Sequence, residues 1–431
     1  MNPFAIKSID ALQVLDSRAV PTVEVAVTLE GGAVGRAIVP SGKSTGAHEA
    51  LELRDGGRAQ HGKTVLKAIE NINKELAPLL IGMDARSQVE LDRAMLKLDG
   101  TENKTRLGAN AILGCSLAAA WAAANAKGVP LFMHIAEIAQ SLGGDGAVAM
   151  PNHMAQIFGG GAHAEDSVDI QCYSVVPLGF EKQSDAIYAT GEVWLAAQDI
   201  YKELKRPRSF ADEGGLWATD FADNEEGLRL MVKAVERAGF KPGKDFGIAL
   251  DIASTEFYDA ESGKYNLRYD KKTLSAEGLV DMLCEWCDKY PIVSIEDGCA
   301  EDDWEGQILL TEKLGSRIQL IGDDLFTTNI NRIRRGVEKG ACNAVLVKMN
   351  QIGTLTETIE AILYSHSVNF NSVVSARSGD SEDVTMVHLA VGTHSEMVKY
   401  GAMNRTERIC KWNEMLRIEH NYPEFKQNLC N

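Results

Sequence analysis

The sequence predicts an α/β protein: an N-terminal α+β capping domain over residues 1–138, followed by a (β/α)8-like barrel over residues 139–431. Three observations predict it. The opening ~135 residues put alternating strands first and long helical patterns after, an α+β order. From about residue 140 short apolar strands alternate with helices. The last four of those strands recur every ~25–30 residues, the βα period of a barrel.

In the first domain, residues 11–38 carry "TVEVAVTLEGGAVGRAI". Apolar and other residues alternate on both sides of Gly31-Gly32, which reads as two strands of a hairpin. Residues 63–98 and 107–127 are helical in pattern. The second of these, "LGANAILGCSLAAAWAAANAK", is Ala-rich, and small side chains suit close helix packing. In the barrel the strands read "VDIQCYSVV" (168–176), "FGIALDIA" (246–253), "YPIVSIED" (290–297), "IQLIGDDL" (318–325), "NAVLVKMN" (343–350) and "NSVVSARS" (371–378). Continuous apolar strands with helices between them predict a parallel sheet buried on both faces.

Composition removes several classes of function. With 431 residues and 45% hydrophobic residues, the chain can fill a large core. The net charge of −17 repels nucleic acid and anionic membranes, so neither is an expected partner. No apolar run reads as a membrane span and the N-terminus lacks a signal pattern. Eight cysteines without framework spacing fit a reducing cytoplasm. Cys284 and Cys287 form a CxxC, but at helical spacing with Val280 and Leu283, so a core-facing helix is the preferred reading. "PSGKSTG" (40–46) copies the tail of a phosphate-binding P-loop. The glycine required five residues earlier is Ala37, and Pro40 removes a donor N–H inside the would-be loop. The stretch is therefore not a nucleotide site.

The chemistry lies at the C-terminal ends of the barrel strands, which carry Asp251, Glu296, Asp323, Lys348 and Arg377 in order. Barrel enzymes place their active residues at that face. Charges following apolar runs are costly unless paired or metal-bound. Three carboxylates from three strands form a hard oxygen site suited to Mg²⁺. A lysine beside a divalent ion can have its proton affinity lowered enough to act as a base. A Lys base with Mg²⁺ opposite it is an arrangement that can form and stabilise an enolate.

The chain resembles the enolase family over nearly its whole length. The matching stretches include "LDSRAVPTVEV", "VPSGKSTGAHEALELRDG", "ENKTRLGANAILG", "GGGAHAEDSVDIQ", "ADEGGL", "GDDLFTTN", "VLVKMNQIGTLTETIEAI" and "SARSGDSED". The resemblance implies an enolase-type barrel, and it explains "PSGKSTG" as a mobile lid. It implies that Asp251, Glu296 and Asp323 hold one Mg²⁺ and that Ser44 helps hold a second. Lys348 would remove the C2 proton and Lys399 would contact the substrate carboxylate. Arg377 and Ser378 would bind phosphate, His163 would lie near the substrate, and Glu213 would help protonate the departing hydroxyl. A small anionic substrate and a homodimer are likewise implied.

Three departures from the family stand out. Gln171-Cys172-Tyr173 replaces Gln-Glu-Phe, Ala376 replaces a histidine, and Lys43 replaces a small lid residue. A thiol, with pKa ~8.5, is no carboxylate near neutrality. Cys172 is then either a buried filler or a catalytic thiol. Lys43 and the space at Ala376 are candidates for admitting a second anionic group, and Gln171 is a substrate-binding candidate. These changes give the expectation of a diverged enzyme that still makes an enolate, such as a carboxyphosphonoenolpyruvate synthase of phosphonate pathways. Ordinary dehydration of 2-phosphoglycerate and a silent binding protein are the alternatives.

Overall fold

The computed structural model describes residues 2–425. An antiparallel three-stranded sheet opens the chain: Ile6–Leu15, Pro21–Leu29 and Val34–Ile38. In the central strand Val23, Val25, Val27 and Leu29 all face the core with no exposure. The two strands around Gly31-Gly32 are the expected hairpin; Gly32 turns it at φ 89°. The outer strand Ile6–Leu15 has no counterpart in the sequence reading. It leaves Leu12 and Leu15 exposed, so its apolar residues do not mark one buried face.

The helical stretch expected at 63–98 is broken. Leu66–Asn71 leads through a π-helical turn, Ile72–Leu76, into Ala77–Leu80, and a separate helix runs Gln88–Asp99. Pro78 and the left-handed Gly82 lie in the interruption. The Ala-rich helix Ala109–Lys127 ends on left-handed Gly128. It is long and apolar enough to cross a membrane by length and composition, unlike the sequence reading, but 83% of that window is buried inside the fold. It packs so closely on the sheet that a Cβ at Gly35 would lie 2.1 Å from Ala122 N and 2.2 Å from Ala118 O. Both neighbours are backbone and cannot rotate away. Gly35→Ala is therefore expected to cost about 3 kcal/mol through overpacking. Urea unfolding measures this, and a loss below about 1 kcal/mol would contradict such tight packing. A further helix, Leu131–Ser141, runs across residue 138, where the change in sequence rhythm puts the domain boundary.

The second part is a closed barrel. Eight strands form it: Asn152–Gly159, Cys172–Pro177, Phe246–Asp251, Ile292–Glu296, Gln319–Gly322, Ala344–Val347, Asn371–Ser375 and Met397–Gly401. The last pairs with the first and closes it. Met154, Val176, Ala249, Ile321, Leu346, Val373 and Met397 fill the interior.

The wholly parallel sheet expected from the sequence is corrected at one strand. Cys172–Pro177 runs antiparallel to both neighbours. The chain between it and Asn152–Gly159 has only a three-residue 3₁₀ turn, Gly161–His163, and no crossover helix, so the strand must return in the opposite direction. That strand also starts at Cys172 rather than Val168. Asp169 is diverted to cap Arg268 N and Tyr269 N, at 3.0 Å each. Cys284 and Cys287 lie half-buried on helix Ala276–Lys289 as free thiols, and burial pushes the Cys287 thiol up to about 12.

Candidate active site

The barrel brings the expected residues to one mouth. Asp251 and Glu296 end adjacent parallel strands in direct register. Asp323 follows Gln319–Gly322, Lys348 follows Ala344–Val347, and Lys399 sits within Met397–Gly401. All three carboxylates are buried. Lys399 is also buried. Its Nζ lies 2.8 Å from Asp251 Oδ2 and 2.7 Å from Glu296 Oε2. Lys348 Nζ bonds Asp323 Oδ2, and Gln351 Nε2 donates to the other oxygen at 2.8 Å.

The electrostatics of this group follow from burial and from pairing among its own side chains. Burial acts to lower the proton affinity of Lys348, but the Asp323 carboxylate overcomes it, and the net direction is up. Burial and then Asp251 push the Glu296 carboxyl well above its ordinary range. Burial pushes Asp323 up too, yet Lys348 prevails and its carboxyl falls. Two neighbouring carboxylates that resist sharing negative charge make a site that favours a cation. Gln171 strengthens the case: its Nε2 donates to Asp251 Oδ2 at 3.2 Å, while its buried Oε1 has no partner. This all-oxygen donor set fits Mg²⁺.

A second buried group lies beside the first. His163, Cys172 and Glu213 each present a donor atom within 4.8 Å of the others. Cys172 Sγ accepts from Gln156 Nε2 at 2.9 Å and donates to Glu213 Oε2 at 3.8 Å. Burial, with Glu213 adding to it, pushes the thiol well above its ordinary value, so Cys172 is a neutral thiol. Burial lowers His163. For Glu213 burial acts upward, but His163 and Lys399 outweigh it and hold the carboxyl below its usual range.

The lid closes over Arg377. Ser41 and Gly379 exchange both backbone bonds at 2.9 Å. Arg377 Nη1 and Nη2 grip Glu49 at 3.0 and 3.1 Å, and Nη2 also donates to Ser44 O at 3.1 Å. A Cβ at Gly42 would lie 1.9 Å from Arg377 Nη2 and 2.7 Å from the backbone Ser44 O, so a side chain there would displace both. Ser44 thus meets Arg377 through its carbonyl. Ser378 Oγ accepts from Lys43 N at 2.7 Å and from Arg18 Nη1 at 3.3 Å. Lys43 Nζ pairs with Asp212 at 3.2 Å. A cavity of about 700 Å³ opens beside Lys43, walled by residues of the 161–169 loop, Glu256 and Arg268.

Sequence reasoning missed Glu49, Gln156 and Arg18. Glu49 follows the lid in "GAHEALELRDG" and was readable as a charge beside a candidate anion site. Gln156 lies on the unrecognised first barrel strand, where its Oε1 accepts from Gly215 N at 3.0 Å and thereby points its amide at Cys172.

Comparison with known proteins agrees with this architecture. Residues 6–135 match the family described as "Enolase, N-terminal domain", and residues 147–427 match "Enolase, C-terminal TIM barrel domain". The chain is 57% identical over 419 residues to Enolase 1 of Desulfitobacterium hafniense (strain Y51), covering 97% of this chain and 94% of that relative. A protein with both domains, three buried carboxylates and a lysine at the barrel mouth belongs to the enolase family and is a Mg²⁺-dependent enzyme.

Proposed function

We infer that the enzyme dehydrates 2-phosphoglycerate to phosphoenolpyruvate. The observation that carries this reading is Lys348 bonded to Asp323, one of three buried carboxylates at the barrel mouth. Asp251, Glu296 and Asp323 would hold Mg²⁺, and Ser44 would help hold a second ion. The bound ion would supply positive charge against the substrate carboxylate. Lys348 takes the C2 proton. Lys399 and Gln171 hold the carboxylate end of the substrate. Arg377 and Ser378 take the phosphate once Glu49 gives way. Glu213 hands a proton to the departing C3 hydroxyl, with His163 beside it. The arriving anion raises the proton affinity of Glu213, opposite to the pull of His163 and Lys399.

Two observations favour this reaction over the phosphonate-pathway reading. That reading needs Lys43 and the space at Ala376 for a second anion. Lys43 is answered by Asp212, and Ala376 is buried at 4% exposure. Homodimer formation and work in a reducing cytoplasm belong to the same proposal.

The test is the absorbance of phosphoenolpyruvate formed from 2-phosphoglycerate with Mg²⁺. Steady turnover is expected, and binding of the acid without any product would overturn the reading. Cys172→Glu refines it. A second carboxylate beside Glu213 raises one of the two proton affinities, which keeps that carboxyl protonated near neutrality with a proton to donate. The gain in kcat is expected to approach about 10²-fold, the low end of general acid catalysis. An unchanged rate would show that Cys172 does not limit expulsion of the hydroxyl.

A further inference from the structure

The trio His163, Cys172 and Glu213 has a chemistry that the dehydration does not use. It joins a sulfur, a nitrogen and an oxygen donor, all buried and all within 4.8 Å of one another. The Mg²⁺ carboxylates are hard oxygens; this group is soft and mixed. Its members are also poorly satisfied by each other. The Cys172 to Glu213 separation of 3.8 Å is long, and His163 Nδ1 is buried with no hydrogen-bond partner.

We propose that His163, Cys172 and Glu213 form a second, thiophilic metal site that takes Zn²⁺ or Cd²⁺ and shuts the enzyme off when filled.

The Cys172 to Glu213 separation suits such an ion. Zn–S is about 2.3 Å and Zn–O about 2.0–2.2 Å, so a tetrahedral centre holds its sulfur and oxygen ligands ~3.5 Å apart. The observed 3.8 Å closes to that with a shift of a few tenths of an ångström. On binding, the Cys172 thiol gives its proton to solvent. Thiolate and Glu213 carboxylate then bring two negative charges to the ion, and neutral His163 brings a lone pair. The surrounding hydrogen bonds are already in place. Gln156 is fixed by Gly215 N–H so that its Nε2 faces the sulfur, and an N–H on a metal thiolate is a typical outer-shell support. Mg²⁺ prefers the carboxylates and does not compete for sulfur. Inhibition follows because the ion would bind Glu213, the residue placed on the departing hydroxyl. Metal binding itself does not depend on which acid the enzyme dehydrates.

Co²⁺ is the probe, added to the full chain in excess Mg²⁺. Among the described residues Cys284, Cys287 and Cys410 are half-buried thiols; the first two lie one helical turn apart and offer two sulfurs to one ion, so a Cys284→Ser/Cys287→Ser chain serves as background. One Co²⁺ per chain is expected to give sulfur-to-metal charge-transfer absorption in that background. Adding Cys172→Ser should remove the absorption. It should also weaken Zn²⁺ inhibition by about 100-fold or more, since loss of even an outer-shell partner costs 10–100-fold. If Cys172→Ser folds poorly, His163→Asn carries the same test and should weaken Co²⁺ binding with the sulfur still present. Charge transfer that survives Cys172→Ser, that is missing from the Cys284/Cys287 background, or Zn²⁺ sensitivity equal in both chains would overturn the proposal.

Discussion

Lys348→Ala is expected to lower turnover of 2-phosphoglycerate by about 10²–10⁴-fold, the range typical of removing a general base. The geometry makes a large loss the expectation. Lys348 is the cation bonded to Asp323, and it follows a strand, Ala344–Val347, whose four residues are fully buried. Lys399, the nearest comparable group, is held between Asp251 and Glu296 and is not free to substitute. The substitution leaves Asp323 with Gln351 as its remaining bonded partner, so Mg²⁺ binding should persist and grow tighter. Calorimetric titration of Mg²⁺ checks that point. Loss of turnover with Mg²⁺ binding intact fits a base; loss of both would mean that Lys348 only organises the carboxylates.

Glu213→Gln is the second large effect, and its signature is different. The amide keeps the shape and burial but cannot donate a proton as an acid. It also removes the charge that faces His163 and Lys399. Proton removal at C2 should continue, because Lys348 and Asp323 are untouched. Expulsion of the C3 hydroxyl should slow by about 10²–10⁴-fold. The substrate would then exchange its C2 proton with solvent many times per product formed. Parallel loss of exchange and product would place Glu213 in substrate binding instead.

Much of this site is legible in the sequence, for a definite reason. A charge that ends an apolar strand has few solvated alternatives, so Asp251, Glu296, Asp323, Lys348 and Arg377 stand out, and the barrel brings them to one mouth. What sequence does not show is how the charges pair. Whether Lys399 points to solvent or bridges Asp251 and Glu296 depends on a register between strands nearly 150 residues apart. The grip of Arg377 on Glu49 depends on a lid that folds back across the mouth. The raised proton affinity of Lys348 depends in turn on that pairing, because the Asp323 carboxylate outweighs the effect of burial. Strand direction was hidden as well. A strand buried on both faces has the same apolar run whether it is parallel or antiparallel, so only the helix-free return before Cys172 reveals the reversal.

The most direct test is to incubate the enzyme with Mg²⁺ and 2-phosphoglycerate in D₂O and follow two signals together: deuterium at C2 of recovered substrate and phosphoenolpyruvate. The account predicts both, each dependent on Mg²⁺ and each lost in Lys348→Ala. Deuterium incorporation without product would contradict the dehydration, and product formation undiminished in Lys348→Ala would contradict Lys348 as the base.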